Sequence, residues 1–165
     1  MSTLIRTAVI AFVGGLMLTA TSPVIVHKRV VAAAAIELAD CHPRTSGLGA
    51  VEDYVRAVAE FLGCRFDVRT MHGVGGRAGP SDHPDGLAVD FMVDPDTGDD
   101  LASCALDNIE DLAVKYVIWE QRINHGDEWE PMEDRGGITV NHFDHVHISF
   151  ESDAPEDVSI EDLCS

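Results

Sequence analysis

The sequence predicts an α+β domain in which a small antiparallel sheet is flanked by helices. Residues 66–71, 87–93 and 145–150 alternate apolar and polar side chains, as half-buried strands do. Two further segments repeat apolar residues at intervals of three and four, which is typical of helices. Because alternating strands indicate a sheet with one covered face, an antiparallel sheet is favoured over a parallel one, whose strands are continuously apolar.

Residues 1–35 differ from the rest of the chain in charge. They hold three basic residues and no acidic one, whereas all 29 acidic residues follow them. Arg6 precedes an apolar stretch from Thr7 to Ala20, and Ala32–Ala35 offer the small residues that a signal peptidase reads. We therefore expect residues 1–35 to be a secretory signal, with an uncleaved membrane anchor as the alternative, and residues 36–165 to form one domain.

The expected domain is strongly acidic. The whole chain has a net charge of -18, and residues 36–165, with 8 basic and 29 acidic residues, have a net charge of -21. Affinity for nucleic acid comes from Lys and Arg against phosphates, so nucleic acid is not an expected partner. With 45% hydrophobic residues, the composition is that of a globular protein. We also expect the protein to be a monomer.

The first helix is predicted over residues 47–62. Its apolar face consists of Val51, Val55, Val58 and Leu62. The strand at 66–71 follows, and residues 72–80 contain four glycines and a proline, which predicts a loop.

The second half of the chain contains a strand at 87–93, a helix at 101–112 and a strand at 116–119. We expect Asp99 or Asp100 to cap this second helix. Residues 121–141 are polar and lack periodicity, which indicates a functional or covering loop. After the strand at 145–150, the acidic tail 151–165 is predicted to be a solvated segment.

An even number of cysteines in an exported chain predicts disulfide bonds. The four cysteines allow three pairings, and none of their spacings forms a Cys-x-x-Cys motif: Cys41, Cys64, Cys104 and Cys164.

Two short segments carry most of the chemistry, Ser81–Asp90 and His142–His147. Zinc favours imidazole and carboxylate ligands, and a catalytic zinc site has three protein ligands and one position left for water. His83, Asp90 and His147 would supply that set. A surface histidine is the simpler interpretation of any single histidine, but three histidines within six residues are hard to explain by packing.

The pattern Ser-x-His-x-x-Gly-x-Ala-x-Asp at Ser81–Asp90, with a carboxylate and then a histidine three residues later at 144–147, resembles a known family. It is similar to the zinc D-alanyl-D-alanine carboxypeptidases and dipeptidases and the phage L-alanyl-D-glutamate endolysins. The resemblance covers about residues 47–150 and implies the fold shared with lysostaphin-type peptidases and the hedgehog signalling domain. Residues 115–119 and 135–149 further resemble a secreted branch of proteins with this domain.

This resemblance implies that His83, Asp90 and His147 bind zinc, and that Asp144 activates the attacking water. The family usually has Glu in place of Asp144, and Asp is shorter by one methylene. An unbroken strand through Asp144 would also point its side chain away from the face of His147, so the chain must bend between them. If it does not bend, His145, on the same face as His147, is the better candidate for the base or hydrogen-bond donor.

Two arginines precede the first motif, in the region where the family places a positive group near the oxyanion. Arg69 is preferred over Arg77, because Arg69 lies in a predicted strand; an ordinary surface ion pair is the alternative for either. Ser81 and His142 are expected to orient the ligands.

We therefore expect an exported zinc metallopeptidase, in the cell envelope or secreted, that acts on stem or cross-link peptides of peptidoglycan. The alternative is a catalytically inactive zinc-binding domain that binds cell wall or protein. A third hypothesis is a disulfide-stabilised domain whose histidines bind no metal.

Overall fold

The computed structural model describes residues 41–76, 79–153 and 163–164. The predicted signal segment, Arg77 and most of the acidic tail lie outside the described residues. Within the described ranges the elements are two helices, α1 (Asp53–Arg65) and α2 (Pro95–Asp107), and six strands, β1 (Met71–His72), β2 (Ala88–Met92), β3 (Val114–Trp119), β4 (Arg122–Asn124), β5 (Glu130–Pro131) and β6 (His145–Phe150). Among these residues, no helix has the length and apolarity needed to span a bilayer.

The six strands form one sheet in the order β1-β2-β6-β3-β4-β5, and every neighbouring pair is antiparallel. The α+β class with a small antiparallel sheet is therefore confirmed. Strand β6 is central, between β2 and β3, and has the bounds that the sequence predicts. Its register places Asp90 directly opposite His147.

Both helices begin at positions other than the predicted ones. Helix α1 begins at Asp53, because Gly49 has a φ of 67° and Glu52 is extended, so the chain before Asp53 is not helical. Helix α2 begins at Pro95, whose fixed φ suits a first helical position. Its N-cap is Asp94, which accepts a hydrogen bond from the Thr97 backbone at 3.2 Å, so the prediction of a cap at Asp99 or Asp100 was wrong.

The predicted strand at 66–71 is also wrong except for its last residue. The chain after α1 stays bonded to the end of that helix, since the Val68 N–H donates to the Gly63 carbonyl at 2.9 Å. Asp67 has a φ of 51°, which does not fit a strand. In this part of the chain, only the two residues of β1, Met71 and His72, pair with β2.

The predicted loop at 121–141 contains β4, β5 and a short 3-10 helix, Thr139–Asn141. Strands β3 and β4 form a hairpin in which Trp119 pairs with Arg122. The two residues between them, Glu120 and Gln121, both have positive φ, as the tight hairpin turn requires. Their sequence lacks the Asn-Gly or Asp-Gly signal of such turns, so the hairpin was missed.

The core lies between the helices and one face of the sheet. Its sheet residues alternate along β2, β3 and β6, and they pack with the apolar faces of α1 and α2: Val89, Phe91, Val117, Trp119, Val146, Ile148 and Phe150. Two disulfides close this core, Cys41–Cys64 and Cys104–Cys164. For loops of 23 and 60 residues, cross-linking stabilises by about 3 and 4 kcal/mol on the chain-entropy account.

Candidate metal centre

The face of the sheet away from the helices brings His83, Asp90 and His147 together. Asp90 in β2 and His147 in β6 are direct neighbours across the strands and point to the same face. His83 comes from a one-turn 3-10 helix, His83–Asp85, that precedes β2. All three are buried, with 1%, 8% and 6% of their surface exposed.

Three atoms of these residues form a compact triangle. His83 Nε2 lies 3.1 Å from Asp90 Oδ1 and 3.2 Å from His147 Nδ1, and His147 Nδ1 lies 2.8 Å from Asp90 Oδ1. Two ligands of a tetrahedral zinc ion lie about 3.3 Å apart when each bond is about 2.0 Å. The triangle therefore has nearly the dimensions of one face of such a site.

Hydrogen bonding fixes the ring of His83. Its Nδ1–H donates to the Gly73 carbonyl at 2.6 Å, which leaves a lone pair on Nε2 in the neutral ring. Its backbone N–H donates to Ser81 Oγ at 3.3 Å, so Ser81 orients the main chain of His83 and not its ring. Gly73 approaches the Leu48 carbonyl so closely that a Cβ would lie 2.2 Å from its oxygen. Only glycine can present its carbonyl to His83 in this place.

The electrostatics of the triangle favour the protonation states of metal ligands. Burial alone would raise the pKa of Asp90, but the contacts of its carboxylate with the His147 and His83 rings outweigh it and keep this pKa well below its ordinary value. Burial lowers the pKa of His147, and the hydrogen bond that its ring donates to Asp90 offsets this only in part. An ionised carboxylate beside a neutral imidazole is the set of donors that a divalent metal requires. The group can therefore bind a metal ion.

Asp144 and His145 lie beside this group and contact each other. Strand β6 begins at His145, so Asp144 precedes it and does not follow its alternation. Asp144 accepts hydrogen bonds from Thr139 Oγ1 at 2.6 Å and from His145 Nδ1–H at 2.7 Å. Burial alone would raise the pKa of Asp144, but these two bonds outweigh it and lower the pKa. His145 Nε2 in turn lies 3.7 Å from Asp90 Oδ1.

A fourth histidine, His142, borders the group. The ring of His142 lies 4.8 Å from that of His145 and 5.8 Å from that of His147. Burial and the neighbouring histidines lower the pKa of His142 to about 3, so its ring is neutral at physiological pH. Its buried Nδ1 has no hydrogen-bond partner among the described residues.

The structure describes only one of the two arginines that were predicted to stabilise the oxyanion. Arg69 is not in a strand, so the reason for preferring it was wrong; its side chain is 72% exposed and pairs with Asp67 at 2.5 Å. It nevertheless lines a cleft of about 330 Å³ together with Asp144. Arg77 lies outside the described residues. Arg135, which the sequence analysis did not select, lies near enough for its positive charge to lower the pKa of His142.

Two more residues near the centre were missed, Asp82 and Tyr116. The Tyr116 ring stacks on His147 with centroids 5.7 Å apart and an interplanar angle of 21°. Its hydroxyl donates to Asp82 at 3.0 Å. Period-two alternation in β3 identifies the face of Tyr116, but only the pairing of β3 with β6 brings it to His147.

A cleft of about 310 Å³ adjoins the triangle at Asp90. Asp90 and His145 line it, and its walls include Gly73, Val74 and Thr139. Its size is at the lower end for small-molecule sites. Met92 lines both this cleft and the one that holds Arg69 and Asp144.

A larger groove of about 580 Å³ lies between α2 and the β3–β5 edge. It contains Trp129, whose ring is covered by the guanidinium of Arg122 at 5.1 Å. Trp119, which borders the same groove, is buried in the core. We locate the candidate functional site at the cleft of about 310 Å³, because the buried side chains of Asp90 and His145 line it. The larger groove is instead bordered by exposed carboxylates.

The fold and the site together define an α+β domain with an antiparallel sheet and a buried group of two histidines and one aspartate that could bind a metal ion. The sequence profile described as VldE, C-terminal domain, matches residues 47–143, which is more than half of the chain. The chain therefore belongs to the VldE C-terminal domain family. The match includes His83 and Asp90 and ends before His147. No curated protein and no solved structure matches the chain.

Proposed function

We propose that this protein is an exported zinc metallopeptidase that hydrolyses amide bonds in peptidoglycan peptides, as a carboxypeptidase or an endopeptidase. The observation that carries the proposal is the buried triangle of His83 Nε2, Asp90 Oδ1 and His147 Nδ1, of which Asp90 also lines a cleft. Two imidazoles and one carboxylate of this spacing would suit zinc, which in catalytic sites has three protein ligands and one position for water.

Zinc held by these residues would polarise the scissile carbonyl and lower the pKa of a water molecule toward about 7. The protein's own side chains would position the ligands and transfer the proton. His83 is held by the Gly73 carbonyl, so its Nε2 cannot turn away from the centre. Such outer partners orient ligands and increase their basicity.

His145 is suited to move the proton. Its Nδ1–H donates to Asp144, which leaves a lone pair on Nε2 in the neutral ring. That nitrogen lies 3.7 Å from Asp90 Oδ1, and His145 lines the cleft in which an attacking water and the leaving amine would lie. His145 would accept the water proton and pass it to the amine.

Asp144 then acts through His145 and is a positioning residue. One of its oxygens accepts from Thr139 and the other from His145. It selects the tautomer of the ring and stabilises the imidazolium that forms. This arrangement favours His145 over Asp144 as the base, whereas the family resemblance implies Asp144.

The oxyanion requires a positive or donor group. Arg69 lines the cleft beside Asp144, but it must leave Asp67 to reach a substrate. Arg69 and Arg77 therefore stay predictions, to be separated by the turnover of Arg69→Ala and Arg77→Ala variants. Loss of kcat in one of the two identifies the oxyanion group.

Export and the wall substrate have separate support. Two disulfides are typical of proteins in oxidising compartments. Peptidoglycan follows only from the family resemblance of the first motif. With a net charge of -18 for the whole chain, attraction to an anionic wall would need shape and metal coordination, since the overall charge opposes it.

The alternative proposal is an inactive zinc-binding domain that recognises cell wall or protein. It is favoured by the hydrogen bonds that both Asp144 oxygens accept, one from Thr139 and one from His145. Asp144 is the base that the family resemblance implies, and these bonds compete with its contact to an attacking water. Binding without cleavage would support it.

The experiment combines metal analysis with a cleavage assay. Purified protein is expected to hold one zinc ion per chain by elemental analysis, and to release new amines from muropeptides, detected by mass spectrometry. His145→Ala should lower kcat by about 100-fold or more while zinc stays bound. A matched control is His42→Ala, at an exposed histidine.

Asp144→Asn distinguishes the two bases. Asn still accepts from His145 Nδ1–H, so a loss of about 10-fold is expected if Asp144 only positions the ring. A loss as large as that of His145→Ala would instead identify Asp144 as the base. Absence of zinc from the wild-type protein would remove both the enzyme and the zinc-binding alternative.

A further inference from the structure

The carboxylate of Asp82 collects hydrogen bonds from three donors on two strands. Lys115 Nζ lies 3.2 Å from each of its oxygens, and Tyr116 OH donates at 3.0 Å. Ser149 Oγ donates to the same carboxylate. Lys115 and Tyr116 belong to β3, and Ser149 belongs to β6.

Asp82 and two of its three donors, Ser149 and Tyr116, are each close to a residue of the candidate metal centre. Asp82 directly precedes His83, and its carbonyl accepts the Leu87 N–H at 3.0 Å, which closes the turn that holds His83. Ser149 follows His147 by two residues on the same face of β6. Tyr116 lies flat against the His147 ring.

We propose that Asp82 is a positioning residue of the metal centre, which sets the separation between His83 Nε2 and His147 Nδ1. His83 lies on a turn and His147 on a strand, so no element of secondary structure holds the two rings together. Asp82 joins the turn to β6 through Ser149 and to the ring stacked on His147 through Tyr116. The inference rests on the proposed metal binding and goes beyond it, since it concerns what makes the site rigid.

The charge of Asp82 suits this role. Its side chain is 20% exposed, and the ammonium group of Lys115 balances the negative charge of the partly buried carboxylate. Hydrogen bonds to an ionised acceptor are stronger than neutral ones, and several together hold a geometry. A rigid turn spares the metal the free energy of ordering His83 on binding.

A role in overall stability alone predicts a different outcome. In that case Asp82 variants would unfold more easily, but the folded molecules would bind metal as the wild type does. A positioning role predicts weaker binding and an altered ligand geometry in protein that is still folded. Metal affinity and the Co²⁺ absorption spectrum separate the two, because the d–d bands report coordination geometry.

The test measures zinc affinity by chelator competition and the spectrum of the Co²⁺-loaded protein for Asp82→Ala and Asp82→Asn. The loss of an outer partner typically lowers metal affinity by 10–100-fold, which is the effect expected for Asp82→Ala. Asp82→Asn keeps an acceptor for Tyr116 and should show a smaller loss. Asp85→Ala is the matched control, since Asp85 is exposed and lies on the same turn.

Wild-type affinity and spectrum in folded Asp82→Ala would overturn the proposal. If that variant does not fold, Asp82→Asn and Tyr116→Ala decide in its place, and wild-type affinity in both would overturn it equally. A wild-type protein that binds zinc but cleaves no muropeptide contradicts the proposed function alone. A wild-type protein without zinc contradicts both.

Discussion

The two faces of the sheet use the same strands for opposite purposes. In β6, one face presents Val146, Ile148 and Phe150 to the helices, and the other presents His145, His147 and Ser149. All six are buried, with at most 6% exposed. A polar face in an antiparallel sheet is usually solvated, so the burial of this one requires an explanation.

The explanation lies in how each face offsets its burial. Apolar side chains gain free energy on leaving water, whereas polar groups lose it unless they are paired. The histidines are paired with Asp90, Asp144 and the Gly73 carbonyl. The face toward the helices therefore stabilises the fold, whereas the burial of the polar face costs free energy and holds the histidines and Asp90 in a fixed geometry.

Asp90→Ala should have the largest effect and acts on the polar face. Asp90 Oδ1 contacts both His83 Nε2 and His147 Nδ1, so its loss opens the triangle. We expect zinc affinity to fall by more than about 100-fold, beyond the usual effect of an outer partner. Equilibrium dialysis measures it, and zinc retained at wild-type affinity would show that the polar face is not the metal site.

Phe91→Ala tests the opposite face at the adjacent residue. Phe91 is fully buried against the helices, and truncation should lower the free energy of unfolding by about 3–5 kcal/mol. Urea denaturation measures this loss. Zinc bound per folded molecule should not change, and a parallel fall in zinc affinity would mean that the two faces are coupled.

Gly98→Ala tests how tightly the helix face is packed. Alanine favours a helix over glycine by about 1 kcal/mol, but a Cβ here would lie 2.3 Å from the Trp119 ring. Overpacking costs about 1–3 kcal/mol, so the net result should be a destabilisation of about 1 kcal/mol. Ser103→Ala, at an exposed position of α2, is the control. If Gly98→Ala raises the unfolding temperature, this face is more loosely packed than described.

Asp94→Asn should have the smallest effect and is visible only in acid. Hydrogen bonds from the backbone and side chain of Thr97 lower the pKa of Asp94. Its stabilisation is therefore present above the ordinary Asp value of about 3.9 and is lost as the pH falls through the lower folded value. Asn keeps the capping acceptor but does not titrate, so the unfolding temperature should depend less on pH below about 4. Equal pH profiles for variant and wild type would contradict this sign.

Sequence reasoning succeeded where the signal is local. The alternation in β6 predicted its bounds, and the histidine and carboxylate types near Ser81–Asp90 predicted the residues that meet in the structure. Both follow from the two-residue period of a strand and from the ligand preferences of metals, which need no partner segment. Zinc, hydrolysis and the roles of Asp144, His145, Arg69 and Arg77 stay predictions.

Sequence reasoning failed where a distant contact decides. Residues 66–70 alternate like a strand, but the backbone N–H groups of residues 66–68 donate to carbonyls at the end of α1. The turn at Glu120 and Gln121 has no sequence signal, because the pairing of β3 with β4 imposes its positive φ values. Arg69 was preferred on the strength of that absent strand.

By itself, the sequence determined the fold class, the apolar face of the sheet and the residue types at the candidate metal centre, because each depends on local periodicity or side-chain chemistry. Only the tertiary structure decided that Asp90 faces His147, that Gly73 holds the His83 ring and that Asp82 reaches β3 and β6. The physical reason is strand register. A shift of one residue would move every histidine of β6 to the helix side, and the packing of the whole sheet excludes that shift.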